Sequence, residues 1–131
     1  MAAVQLTEAE VVAALARWGL TLYRPLDEWY WCVTPDYWDL ILANFPPSPS
    51  WIANFRDCDD IAEWFREECY RRFKVKPGIV VNRSHAFNIA VRADGTLRLI
   101  DAMWNDGFIS QAVYVEPGSS LHELVEAKVW G

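Results

Sequence analysis

Thr7-Glu8-Ala9-Glu10 sets a hydroxyl three residues ahead of a carboxylate, and Val11, Val12, Leu15 and Trp18 then recur at helical spacing. The Thr side chain accepts from a free N–H of the first turn while the Glu reaches back to the Thr backbone, so the pattern predicts a helix from about residue 8 to 18, closed by Gly19 in the left-handed region. From Leu20 to Val33 the alternation is irregular and broken by Pro25. Trp29, Tyr30, Trp31 and Val33 favour extended backbone there, which predicts an irregular segment ending in a short strand. Thr34-Pro35 reads as N-cap and first helical residue of a second helix, with Tyr37, Trp38, Ile41, Leu42 and Phe45 on its apolar face, and Pro46, Pro47 and Pro49 end it. A third helix starts at Asp57. Cys58, Ile61, Ala62, Phe65, Cys69 and Phe73 form one stripe on it, with Glu63, Arg66, Glu67 and Arg71 off the stripe.

After Pro77-Gly78 the period changes from helical to two-residue. Ile79 to Val81, His85 to Ala93 and Thr96 to Met103 read as strands, the last two joined at Asp94-Gly95, and Phe108 to Val115 as a further one. Ser119 or Ser120 with Glu123 suits the cap of a short last helix, whereas Val129-Trp130 suits a strand. Helices first and an antiparallel sheet second is an α+β arrangement, and GxGxxG and GxxxxGK[ST] are both missing from the chain.

At 131 residues the chain is read as one domain, 1–131, and a 53% hydrophobic, 15% aromatic composition is enough to build a core. Net charge −6 argues against phosphate-backbone binding, so nucleic acid is not expected as a partner. No apolar run is long enough for a membrane span and residues 1–20 lack the marks of a signal peptide, which predicts a cytoplasmic protein with no membrane partner. Three cysteines, Cys32, Cys58 and Cys69, at wide spacing and without CxxC predict reduced thiols.

Only His85 and His122 can serve a Cys-His mechanism. Cys58 opens a helix on its inward stripe, where unpaired N–H groups favour a thiolate, and His85 opens a strand. A helix terminus packed on a sheet brings such a pair together for nucleophilic catalysis. Cys32 and Cys69 have no such position and are assigned to the core. His122, in a Glu-rich segment, reads as solvated. Trp18, Trp38 and Trp64 read as core residues, whereas Trp29-Tyr30-Trp31 and Trp104 suit a cleft or a partner-binding patch. Asp57, Asp59 and Asp60 flank Cys58; the plain account is a cap and two charges complementing the helix dipole. The Cys58 N–H is an oxyanion donor by position, with Asn54 upstream as a candidate second donor.

Asp57-Cys58-Asp59-Asp60-Ile61-Ala62, His85-Ala86-Phe87-Asn88-Ile89 and Gly95 to Ile100-Asp101 together resemble a family of papain-like cysteine peptidase domains. That family is related to the C-terminal domain of a mushroom agglutinin and has many bacteriophage-encoded members. The resemblance spans roughly residues 51 to 105. It implies a minimal papain-like fold, with Cys58 as nucleophile, His85 as base and Asp101 as the carboxylate that orients the base. It also implies a calcium requirement, with Asp57, Asp59 and Asp60 as candidate ligands, and a peptide or amide substrate. Ser84 stands where the family has Gly, Asp101 where it has Glu, and Ala102-Met103 where it has Pro-Gln.

The Asp94-Gly95 turn decides whether Asp101 can reach His85. A two-residue loop sets Asn88 opposite Asp101 and puts Asp101 on the far side of the sheet from His85. A three-residue loop, Ala93 to Gly95, sets Phe87 opposite Asp101 and makes His85 its diagonal neighbour on the same face. Asp-Gly favours the two-residue form, which keeps Asn105 and Asp106 as substitute orienting groups. The rival expectation is a non-catalytic protein on the same scaffold, engaging a host protein through its acidic, aromatic surface.

Overall fold

A computed structural model of the chain describes residues 3–23, 29–46, 58–102, 112–118 and 121–130. It is a mixed α+β fold. Strand β1 (Ala3–Thr7) runs straight into helix α1 (Glu8–Ala16), whose N-terminus carries the expected reciprocal cap between Thr7 and Glu10. Strands β2 (Thr21–Tyr23) and β3 (Trp29–Val33) precede helix α2 (Pro35–Ala43), capped by the Thr34 side chain on the Tyr37 N–H. Helix α3 (Cys58–Phe73) is followed by β4 (Gly78–Val81), β5 (Ala86–Val91), β6 (Leu97–Asp101), β7 (Val113–Val115) and β8 (Lys128–Trp130).

Six strands form one sheet in the order β2-β8-β4-β5-β6-β7, and β1 pairs antiparallel with β3 in a second, two-stranded sheet. The large sheet is mixed rather than wholly antiparallel, because β2 and β8 pair in parallel. Residues 121–126 form bends and turns in place of a capped helix, and Val129-Trp130 is strand. Among the described residues no helix is long and apolar enough to cross a membrane.

The two faces of the sheet bury different helices. Val80, Phe87, Ile89, Leu97, Leu99 and Val129 alternate onto one face and pack against Val11, Ala14 and Leu15 of α1. Ala90 and Ile100 alternate onto the other, under Phe65 and Cys69 of α3 and Trp38 and Ile41 of α2. Small residues at Ala86 and Ala90 let α3 lie close to β5, and Asn88, fully buried between them, donates from Nδ2 to the carbonyls of Ala62 at 3.0 Å and Gly78 at 3.2 Å. That side chain ties the early turns of α3 to the sheet. Trp38 is buried as expected, Trp18 and Trp64 are partly buried against the core, and Trp31 stands 53% exposed.

Candidate functional site

The β5–β6 hairpin takes the three-residue loop. Val91 pairs with Leu97 and Asn88 with Ile100, the Arg92 N–H donates to the Thr96 carbonyl at 2.9 Å, and Gly95 sits at φ +82°. This register carries Asp101 onto the α1 face beside Phe87. At the other end of β5, Asn82 and His85 close a two-residue turn: the Asn82 N–H donates to the His85 carbonyl at 3.1 Å, and Asn82 Oδ1 accepts from the N–H groups of Ser84 and His85 at 2.8 and 2.7 Å. The ladder's alternation then points His85 to the same face as Phe87, and the two rings lie stacked with centroids 5.8 Å apart.

His85 Nε2 and Asp101 Oδ2 are 2.8 Å apart. His122, read from sequence as solvated, is instead 2% exposed, and its Nε2 lies 2.7 Å from the same Oδ2. Sequence reasoning missed it because the Glu-rich neighbourhood says nothing about where the turn docks. Asn82 does the docking: its Nδ2 donates to the carbonyls of Leu121 and Glu123, at 2.9 and 3.0 Å, on either side of His122. Arg83 adds a bidentate bond to Glu123 Oε1 at 3.0 and 2.8 Å. The only hint in the sequence is Asn82 itself, an Asx residue at the head of a tight turn. Phe87 walls the cluster, edge-on to His122 at 5.1 Å between centroids.

An ionised carboxylate removed from water needs charge or donors close by. Two imidazoles meeting one oxygen supply them, and each ring that donates Nε2–H is left with Nδ1 as its basic nitrogen. The Nδ1 of His85 makes no hydrogen bond to a described residue. Among the described residues, His85, Asp101 and His122 form the one group of three or more potential metal ligands, with one atom from each inside 4.8 Å of the others.

Cys58 is placed differently. It opens α3 at the same end of the sheet, but its side chain packs beside Ala62, Ile79 and Ala86, on the face opposite to His85 and Asp101. No hydrogen bond joins it to His85. It is nevertheless the one thiol of three with partial exposure. Burial, with a smaller push from the Glu10 charge, raises Cys32 to about 11, and burial with the Glu68 charge drives Cys69 up further, so both stay protonated in the core. Asp59 and Asp60 stand exposed in the first turn of α3, where they complement its dipole, and belong to no described three-residue ligand group. Asp57, Asn54, Trp104, Asn105 and Asp106 lie outside the described residues.

No protein-family model, curated protein or solved structure matches the chain.

Proposed function

We propose that the chain is a cysteine hydrolase, a peptidase or amidase on a minimal papain-like scaffold, acting on a peptide or amide substrate. The observation that carries this reading is the buried His85–Asp101 bond, which holds one imidazole nitrogen to a carboxylate and leaves the other for proton transfer. The state of the thiols adds support, since Cys58 alone is partly exposed while burial pushes the Cys32 and Cys69 thiols up. In the reaction His85 Nδ1 takes the Cys58 proton and Sγ attacks the acyl carbon. The amine departs with that proton, and water deprotonated by the same imidazole cleaves the thioester. Because Cys58 packs on the face opposite His85, the reaction requires a movement at the start of α3 that brings Sγ to the ring.

The placement of Cys58 and His85 on opposite faces favours a second reading, a non-catalytic binding protein in which Cys58 is a packing residue. Iodoacetamide labelling across pH separates the two. The hydrolase requires Cys58 to react as a thiolate below the ordinary thiol range and His85→Ala to slow that reaction at neutral pH. Labelling that follows an ordinary thiol titration and ignores His85→Ala overturns the hydrolase and leaves the binding protein.

A further inference from the structure

We infer that His85, Asp101 and His122 form a binding site for a first-row divalent transition metal, of the kind zinc represents. The inference goes beyond the hydrolase reading and needs no nucleophile. Two imidazoles and one carboxylate are the donor set that such ions select, whereas a hard cation such as calcium prefers oxygen ligands throughout. The three ligands come from three separate parts of the chain: the start of β5, the end of β6 and the turn at 121–124. Each is fixed by contacts outside the cluster. Asn82 holds the backbone on both sides of His122 and the N–H of His85, the hairpin register holds Asp101, and Phe87 packs on both rings. All three are buried, with residue exposures of 7%, 1% and 2% in chain order.

The spacing fits. Ligand bonds of about 2.0–2.2 Å put neighbouring donor atoms on a four- to six-coordinate ion about 3.0–3.4 Å apart. The present separations of 2.8 and 2.7 Å therefore need to open by only about half an ångström. For a neutral His85 no proton has to leave the protein, because it moves from Nε2 to Nδ1 as the ion takes its place, and the loaded chain then has no free His85 nitrogen to act as the hydrolase base. Three ligands on one side of the ion leave further coordination positions for water or a ligand molecule.

The test is titration of chelator-treated protein with Zn²⁺ and Co²⁺ against a chromophoric competitor, with X-ray absorption on the zinc-loaded wild type. One equivalent should bind. The zinc should show imidazole nitrogen and oxygen at about 2.0–2.2 Å and no sulfur at about 2.3 Å. His122→Gln and Asp101→Asn should weaken binding at least about tenfold, the scale on which even outer-shell support matters, while Cys58→Ser and Asp60→Asn leave it unchanged. Should a variant fail to fold, the wild-type absorption spectrum still decides. Absence of saturable binding, a sulfur scatterer, or loss of binding in Asp60→Asn with retention in His122→Gln would each overturn the site. Because Cys58→Ser abolishes the proposed hydrolase and leaves the metal ligands intact, failure of one proposal is distinguishable from failure of the other.

Discussion

Truncating Asp101 to Ala removes the acceptor from two buried imidazole donors at once. Both Nε2 atoms lie within 2.8 Å of a single carboxylate oxygen, and the three side chains are 2–3% exposed, so water does not replace the lost acceptor without opening the cluster. A buried donor left unsatisfied costs about 1–3 kcal/mol, so the two together make the expected loss about 2–6 kcal/mol. Against a typical total stability of about 5–15 kcal/mol, that is a large fraction for one residue. Asp101→Asn keeps an acceptor oxygen but loses the charge, which lowers each bond from about 1.5–3 to about 0.5–1.5 kcal/mol and predicts a loss of about 2–3 kcal/mol in total. The predicted order is wild type, then Asn, then Ala. Urea unfolding followed by tryptophan fluorescence measures it, with eight tryptophans as reporters and the constancy of the denaturant slope checking that the unfolded state is unchanged. Should both variants fall within about 0.5 kcal/mol of wild type, the range of an ordinary surface substitution, the cluster is not held together as described.

Two further outcomes follow from the same geometry. Gly95→Ala should cost about 1–2 kcal/mol in the same assay through its φ of +82° alone, since an added Cβ would meet nothing nearer than Arg17 Nη1 at 3.5 Å; Gly95→Asn, which tolerates that conformation better, should cost less. Stability should also fall at alkaline pH. Folding raises Cys32 from 9.0 to about 11 and raises Tyr114, through burial and its bond to Asp39, from 10.0 to about 12. Their contribution is therefore fully present below about pH 9 and is lost as the pH climbs towards 12; an unfolding midpoint in urea that stays constant from pH 8 to 11 would contradict this.

Elements whose signals are local were legible in the chain. Thr7 with Glu10, Thr34 with Pro35, and the Ile61-Ala62-Phe65-Cys69 stripe each act within a few residues, and each stands where its pattern places it. The β1–β3 pair was not legible, because Ala3 to Thr7 offers one short alternation whose partner, Trp29 to Val33, lies more than twenty residues away across α1. The parallel β2–β8 pairing joins nearly opposite ends of the chain and leaves no local trace. His122 belongs to the same class: its segment is docked by Asn82 and Arg83, some forty residues earlier, which its own charged sequence does not reveal.

The hairpin loop shows why a local preference loses when it conflicts with two faces at once. A two-residue Asp94-Gly95 turn suits its own residues better, but it would slip β6 by one position and exchange its faces. Leu97 and Leu99 would leave the α1 core, and Arg98 would enter it. In the three-residue form both leucines are buried with Phe87 and Ile89, while the Arg98 guanidinium lies 4.1 Å from the Tyr114 ring centre, on the other face at the β7 side. The slip would carry the Arg98 charge into the apolar α1 core, at a cost of several kcal/mol for an unpaired ion, which outweighs a turn preference, so packing selects the register. That same choice turns Asp101 towards His85 and His122. The polar cluster is thus a consequence of apolar packing several residues away, and a substitution that restored the shorter loop would dismantle it without touching any of its three side chains.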